Sequence, residues 1–145
     1  MKHIIFGGDG FLGTELTRKL KRKGEQIIIC DINQTLSSGI YDDPQQVTYI
    51  NLDVTDPASF EQLEIDDDDV LYHFAARLLM PILPRAERQH VFWDVLYVGT
   101  ENLLNFMEKR KLRRLIYFTT DMVYGHTLEN PRTEAHPRAP LGPYG

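Results

Sequence analysis

The chain has one cysteine, Cys30, in 145 residues, so it cannot close an internal disulfide and is not a small disulfide-stapled domain. It has no apolar run near the roughly 20 residues that a membrane-spanning helix needs. It has no excess of positive charge: 16 Lys+Arg stand against 21 Asp+Glu, a net charge of -5. The basic residues fall in short runs at helix ends, Arg18 to Lys23 and Lys109 to Arg114, so nucleic acid is not an expected partner. The opening MKHIIFGGDG is too short and too glycine-rich for the apolar stretch of a secretion signal, and the cytoplasm is the expected compartment. There is no internal repeat and no low-complexity tract. What is there is an ordinary apolar fraction of 42%, enough for one core and therefore one domain.

Read along the chain, apolar runs and helical periods alternate. Lys2 to Phe6 (KHIIF) is a short β-branched run that ends in closely spaced glycines, a strand entering a tight turn. Phe11, Leu12, Glu15, Leu16, Lys19 and Leu20 keep a helical period up to KRKG, where Gly24 caps the end. Gln26 to Cys30 is a second strand ending on Asp31, and residues 33 to 46 are a polar loop. Val47 to Ile50 is a third strand, and Thr55-Asp56-Pro57 opens a short helix with a capping residue and a proline in its first turn. Val70 to Phe74 is a fourth strand, Arg85 to Arg110 a long helix, and Leu115 to Thr119 a fifth strand. This alternation predicts an α/β fold, a doubly wound parallel (Rossmann) sheet with strand order 3-2-1-4-5. After Gly125 the prolines at 131, 137, 140 and 143 predict an extended loop over the carboxyl edge of the sheet.

GGDGFLG sets Gly7, Gly10 and Gly13 between the first strand and the first helix. At that place the backbone must turn sharply, bare main chain can approach a pyrophosphate, and the helix N-terminus offers N–H groups to an anion. Asp31 follows about 20 residues on, at the end of the second strand, where a carboxylate can accept both ribose hydroxyls of a dinucleotide. That placement favours NAD over NADP, because Asp31 repels a 2′-phosphate and no arginine follows it in DINQT. Asp53, in NLDVTD, is placed to accept from the adenine amino group, against the alternative of a residue that only starts a helix.

Together these residues resemble the extended short-chain dehydrogenase/reductase family, the NAD-dependent nucleotide-sugar epimerases and dehydratases. The resemblance runs from Ile4 to Gly145 through seven motifs in order: GGDGFLG, LDV at 52 to 54, HFAA at 73 to 76, DVLYVGTENLL at 94 to 104, TTDMVYG at 119 to 125, PRTE at 131 to 134, and PYG at 143 to 145. It implies a cofactor set of Gly7, Gly10, Phe11, Leu12, Gly13, Asp31, Asp53, Val54, Ala75 and Ala76, the two alanines letting the nicotinamide half pass close to the fourth strand. It implies Thr120 as the hydroxyl that holds the substrate oxygen and Tyr144 as the base that takes the hydroxyl proton. The family's lysine partner would stand at position 148, beyond Gly145. The expectation is therefore that residues 1–145 are an incomplete NAD-binding domain, ending before the sixth strand and the substrate lobe. Alone, such a piece is expected to be inactive and prone to self-association through exposed faces.

Two departures from the family pattern bear on the chemistry. Met122 stands where the sugar dehydratases use a glutamate, which disfavours 4,6-dehydration, and Leu96 replaces the usual asparagine of the long helix, which implies loss of a kink or water there. The implied substrate is a small molecule, a nucleotide sugar or similar hydroxyl compound. The alternative is a non-catalytic dinucleotide-binding sensor or regulatory module, which the retention of Thr120 and Tyr144 opposes.

Several residues invite more than their spacing supports. Phe92, Trp93 and Tyr97 fit one buried helix face better than an aromatic box. His73 reads as a satisfied structural histidine, and the acidic run at 66 to 69 as a surface loop rather than a metal site. Arg77 and Arg85 fit a phosphate contact and a solvated helix start equally.

Overall fold

A computed structural model describes residues 1–33, 43–77 and 85–145, without the side chains of 85–88. Most of the polar loop expected at residues 33 to 46 therefore lies outside the described residues, as does the side chain of Arg85. Five strands form one parallel sheet in the order β3-β2-β1-β4-β5: β1 (Lys2–Phe6), β2 (Gln26–Asp31), β3 (Val47–Asn51), β4 (Val70–His73) and β5 (Leu115–Tyr117). The predicted order is the observed one.

The central strands read as near-continuous apolar runs because both faces of the sheet are covered. Side chains alternate between faces. Ile4, Phe6 and Cys30 point to one side, joining Leu52, Phe60, Leu71, Leu103 and Phe106. Ile5, Ile27 and Ile29 point to the other, joining Leu20 and Val47. The first helix, α1 (Phe11–Arg22), lies on the second side, but its buried stripe is Gly13, Thr17 and Leu20. Phe11 and Leu12, the first apolar residues of the predicted stripe, are exposed, Phe11 by 83%. Gly13 and Thr17 take the buried positions instead because the helix sits so close to the turn that only small residues fit. Thr17 satisfies its hydroxyl by donating to the Gly13 carbonyl at 2.8 Å.

The long helix is interrupted. It runs as α2 (Arg85–Phe92), a π-helical stretch Trp93–Val98, and α3 (Gly99–Arg110). In the π stretch the Gly99 N–H donates to the Asp94 carbonyl five residues back, and Thr100 donates its hydroxyl to the Leu96 carbonyl at 2.7 Å. The helix thus keeps an irregularity at Leu96 without the asparagine, because a backbone bond and a threonine supply it.

The helix predicted at Thr55 is a 3-10 turn, Pro57–Gln62, capped by Asp56, which accepts from Ala58 N–H at 3.0 Å. The stretch after Gly125 is a series of bends pinned to the body rather than an extended loop. Ala139 N–H donates to Val123 O at 2.9 Å. Buried His136 accepts from Leu128 N–H at 3.0 Å. Arg132 pairs with Asp121 at 3.3 Å. Among the described residues no helix is long and apolar enough to cross a membrane.

Candidate functional site

Two clefts open at the carboxyl ends of the strands, of about 460 Å³ and about 710 Å³. They share Gly7, Gly10, Phe74, Ala75 and Ala76, so they meet over the ends of β1 and β4. Gly7 makes that junction. Its φ is +74°, and a Cβ there would lie 2.6 Å from the backbone nitrogen of Ala75. Its N–H donates to Cys30 O at 2.8 Å, tying the turn to β2. Gly13 packs α1 against Gly8: a Cβ on Gly13 would lie 2.5 Å from Gly8 Cα. Gly10 is the N-cap of α1 and no side chain among the described residues caps the helix, which leaves its N-terminal N–H groups available to an anion.

The smaller cleft gathers Asp31, Asp53 and Val54 from the expected set. Asp31 accepts from Asp9 N–H at 3.0 Å with Oδ2 and from Ile32 N–H at 2.8 Å with Oδ1. Asp53 Oδ1 takes both the N–H and the hydroxyl of Thr55, at 2.9 and 2.8 Å, a local turn that orients the carboxylate at the cleft wall. The helix start expected as its alternative role belongs to Asp56. Val54 packs into the notch left by Gly99, whose added Cβ would meet Val54 Cγ2 at 2.7 Å. Asn102 Nδ2 donates to the carbonyls of Val54 and Thr55 at 3.0 and 3.1 Å, fixing this loop to α3.

Sequence reasoning missed Asn102, Asn33 and Asp9 here. Asn33 Nδ2 donates to Asp9 Oδ2 at 2.7 Å. The signal was available in one case only: an acid inside a glycine turn at a helix N-terminus is out of place unless something holds it. Tyr49 closes the back of this cluster, its hydroxyl lying 3.0 Å from Asp31 O. Burial pushes the Tyr49 phenol pKa up, and the carboxylates of Asp31 and Asp9 add to that against a side-chain hydrogen bond with Asn51.

The larger cleft brings Phe11, Leu12, Thr120 and Tyr144 together with Ala75 and Ala76. Thr120 caps the 3-10 turn Asp121–Tyr124, its hydroxyl accepting from Met122 N–H at 3.3 Å. The ring of Tyr144 meets buried Phe92 edge to face, with centroids 5.7 Å apart.

Trp93 and Tyr97 correct the expectation of a buried helix face. They are 55% and 49% exposed and stack on each other at 4.3 Å, lining this cleft, while Phe92 alone of the three is buried. Residues four apart share a face, and here that face looks into the cleft rather than the core.

His73 corrects another expectation. It is 2% exposed, and its Nε2 lies 3.0 Å from Thr100 Oγ1. The threonine proton goes to Leu96 O, so Nε2 is the donor and Nδ1 is a buried acceptor without a partner among the described residues. The histidine is half satisfied, and burial drops its pKa to about 4.

Arg77 lines the smaller cleft and is exposed. The acidic run clamps the start of β1. Buried Asp69 accepts from Lys2 N–H and from Asp66 N–H, and Asp68 pairs with the terminal ammonium at 3.4 Å.

The family model for the NAD dependent epimerase/dehydratase family matches residues 3–145. The chain is 27% identical over 147 residues to a UDP-glucose 4-epimerase of Halalkalibacterium halodurans, covering 100% of this chain and 42% of that protein. It is 29% identical over 143 residues to a putative UDP-glucose 4-epimerase of Methanocaldococcus jannaschii, covering 98% and 46%. Among solved structures, the Bordetella bronchiseptica enzyme WbmG in complex with NAD shares the fold, with a TM-score of 0.83 at 24% identity over 100% of this chain and 46% of that one. A UDP-glucose 4-epimerase crystal structure gives a TM-score of 0.82 at 25% identity, covering 99% and 43%. The chain thus spans less than half the length of these relatives.

Proposed function

The chain belongs to the NAD dependent epimerase/dehydratase family, and on that premise we propose that residues 1–145 are the NAD-binding part of an oxidoreductase or isomerase acting on a hydroxyl of a small molecule, a nucleotide sugar or similar. The observation that carries this is the pair of clefts meeting at Gly7, Gly10, Ala75 and Ala76, with Asp31 bordering one and Thr120 and Tyr144 bordering the other. An elongated dinucleotide fits such a pair: a carboxylate for the ribose, an uncapped helix N-terminus for the pyrophosphate, and small residues beyond. The bound nicotinamide supplies a hydride acceptor and donor.

The chain's own residues do the rest. Asp31 accepts the adenosine ribose hydroxyls. Asp53 and Val54 border the adenine, Asp53 as acceptor for its amino group. The turn Gly7 to Gly13, with Phe11 and Leu12 at the helix start, presents backbone N–H groups to the pyrophosphate. Thr120 holds the substrate oxygen by its hydroxyl, and Tyr144 takes the hydroxyl proton as general base. The names of the curated relatives, UDP-glucose 4-epimerases, support a nucleotide sugar as the substrate class. A sensor with no chemistry would have no use for Thr120 and Tyr144 beside the same cleft.

The exposed Ile116, Tyr117 and Phe118 on and after edge strand β5 support self-association. A monodisperse monomer by light scattering at high protein concentration overturns that part.

Calorimetric titration with NAD and then NADP tests the main reading. The expected result is saturable NAD binding, weaker NADP binding, and at least about tenfold loss of NAD affinity in Asp31→Ala. A folded chain that binds neither nucleotide overturns it.

A further inference from the structure

The GGDGFLG turn contains an acid, Asp9, where a pyrophosphate is to be received, and like charges should not be placed there without a purpose. The side chain is diverted. Asp9 is 8% exposed and its Oδ2 accepts from Asn33 Nδ2 at 2.7 Å, while its own N–H donates to Asp31 Oδ2 at 3.0 Å. Residues 9, 31 and 33 therefore form one strap across the end of β2, and all three line the smaller cleft.

We propose that Asp9 is a second specificity-determining residue of the adenosine cleft: its carboxylate, latched by Asn33 beside Asp31, rejects a phosphate on the ribose 2′ oxygen and so selects NAD against NADP. The inference rests on the NAD-binding reading above and deepens it.

Three observations support a charge role over a purely structural one. The cleft is lined by four carboxylates, Asp9, Asp31, Asp53 and Asp94, against one cation among the described residues, the exposed Arg77. Asp9 is nearly out of solvent, so its field is poorly screened. Its charge is also felt locally, since it adds, behind burial and the Asp31 carboxylate, to the upward shift of the Tyr49 phenol. A dianionic 2′-phosphate entering beside Asp31 would meet both carboxylates at once, whereas the 2′-hydroxyl of NAD is a donor that they can accept.

The test measures the dissociation constants of NAD and NADP, at low ionic strength, for the native chain, Asp9→Asn, Asp31→Asn and the double variant, with circular dichroism to check folding. Asp9→Asn keeps an acceptor for Asn33 and removes the charge. The ratio of NADP to NAD dissociation constants is expected to fall about 3- to 10-fold in Asp9→Asn, mainly through tighter NADP binding, and further in the double variant. A latch without an electrostatic role would lower both affinities together, so an unchanged ratio with NAD binding intact overturns the proposal. Should Asp9→Asn not fold, Asp9→Ser carries the same readout. Absence of NAD binding by the folded native chain overturns the underlying reading and this inference with it.

Discussion

The two clefts are built from different chemistry. In the smaller cleft the polar groups answer one another within the chain: Asp31 with Asp9, Asp9 with Asn33, Asp53 with Thr55, and the carbonyls of Val54 and Thr55 with Asn102. At the Tyr144 end the walls are aromatic and open: Trp93 stacked on Tyr97, with Tyr117 and Phe118 also about half in solvent. The first end is organised before a ligand arrives and can discriminate by charge and hydrogen bonding. The second offers flat apolar surface, which selects by shape and burial. One backbone turn at Gly7 serves both.

That junction is where the comparison breaks most completely. Gly7→Ala combines a positive φ with a Cβ against the Ala75 backbone, and is expected to cost about 3 kcal/mol or more and to remove NAD binding. Urea denaturation and calorimetry read the two effects. Near-native values for both would mean that the clefts do not depend on this turn.

A smaller effect separates the ends through pH. His73 contacts Thr100, which bonds Leu96 in the π stretch that carries Trp93 and Tyr97, and its folded pKa of about 4 is below its ordinary 6.5. The unfolded chain therefore binds the proton more readily between those values. The contribution is fully present above about pH 6.5, and is lost as pH falls through about 4, as much as roughly 3 kcal/mol. His73→Gln should flatten the unfolding free energy over that window relative to the native chain. An equal pH slope in both proteins would show that His73 does not control it.

The smallest effect sharpens the comparison. Trp93→Ala is expected to change stability by less than about 1 kcal/mol, because the ring is half exposed, while Phe92→Ala beside it should cost about 3 to 5 kcal/mol. The preference for NAD over NADP should not move with Trp93→Ala. A shift in that preference would mean that the two ends are coupled.

Much of the smaller cleft was legible in the chain because its parts are local. A strand, a glycine turn and a helix follow one another within residues 2 to 22, and Asp31 ends the next strand. Spacing alone carries such information. The latch of Asp9 to Asn33 was not legible, because residues 24 apart meet only once β1 and β2 pair. Nor was the exposure of Trp93 and Tyr97, since helical spacing states which residues share a face but not what that face meets. Phe11 and Leu12 failed for the same reason: the period of α1 was right, but the small residues Gly13 and Thr17 lie on the side that packs.

Apolar alternation and glycine placement were sufficient for the five parallel strands and their order, because period and turn chemistry act between neighbours in sequence. Which polar atoms find partners, and which aromatic faces stay in solvent, depended on folding in three dimensions. His73 Nδ1 is an acceptor rather than a donor because Thr100, 27 residues away, spends its single proton on Leu96, and it finds no partner among the described residues. Hydrogen-bond satisfaction is a count over all neighbours in space, and a linear pattern does not contain that count.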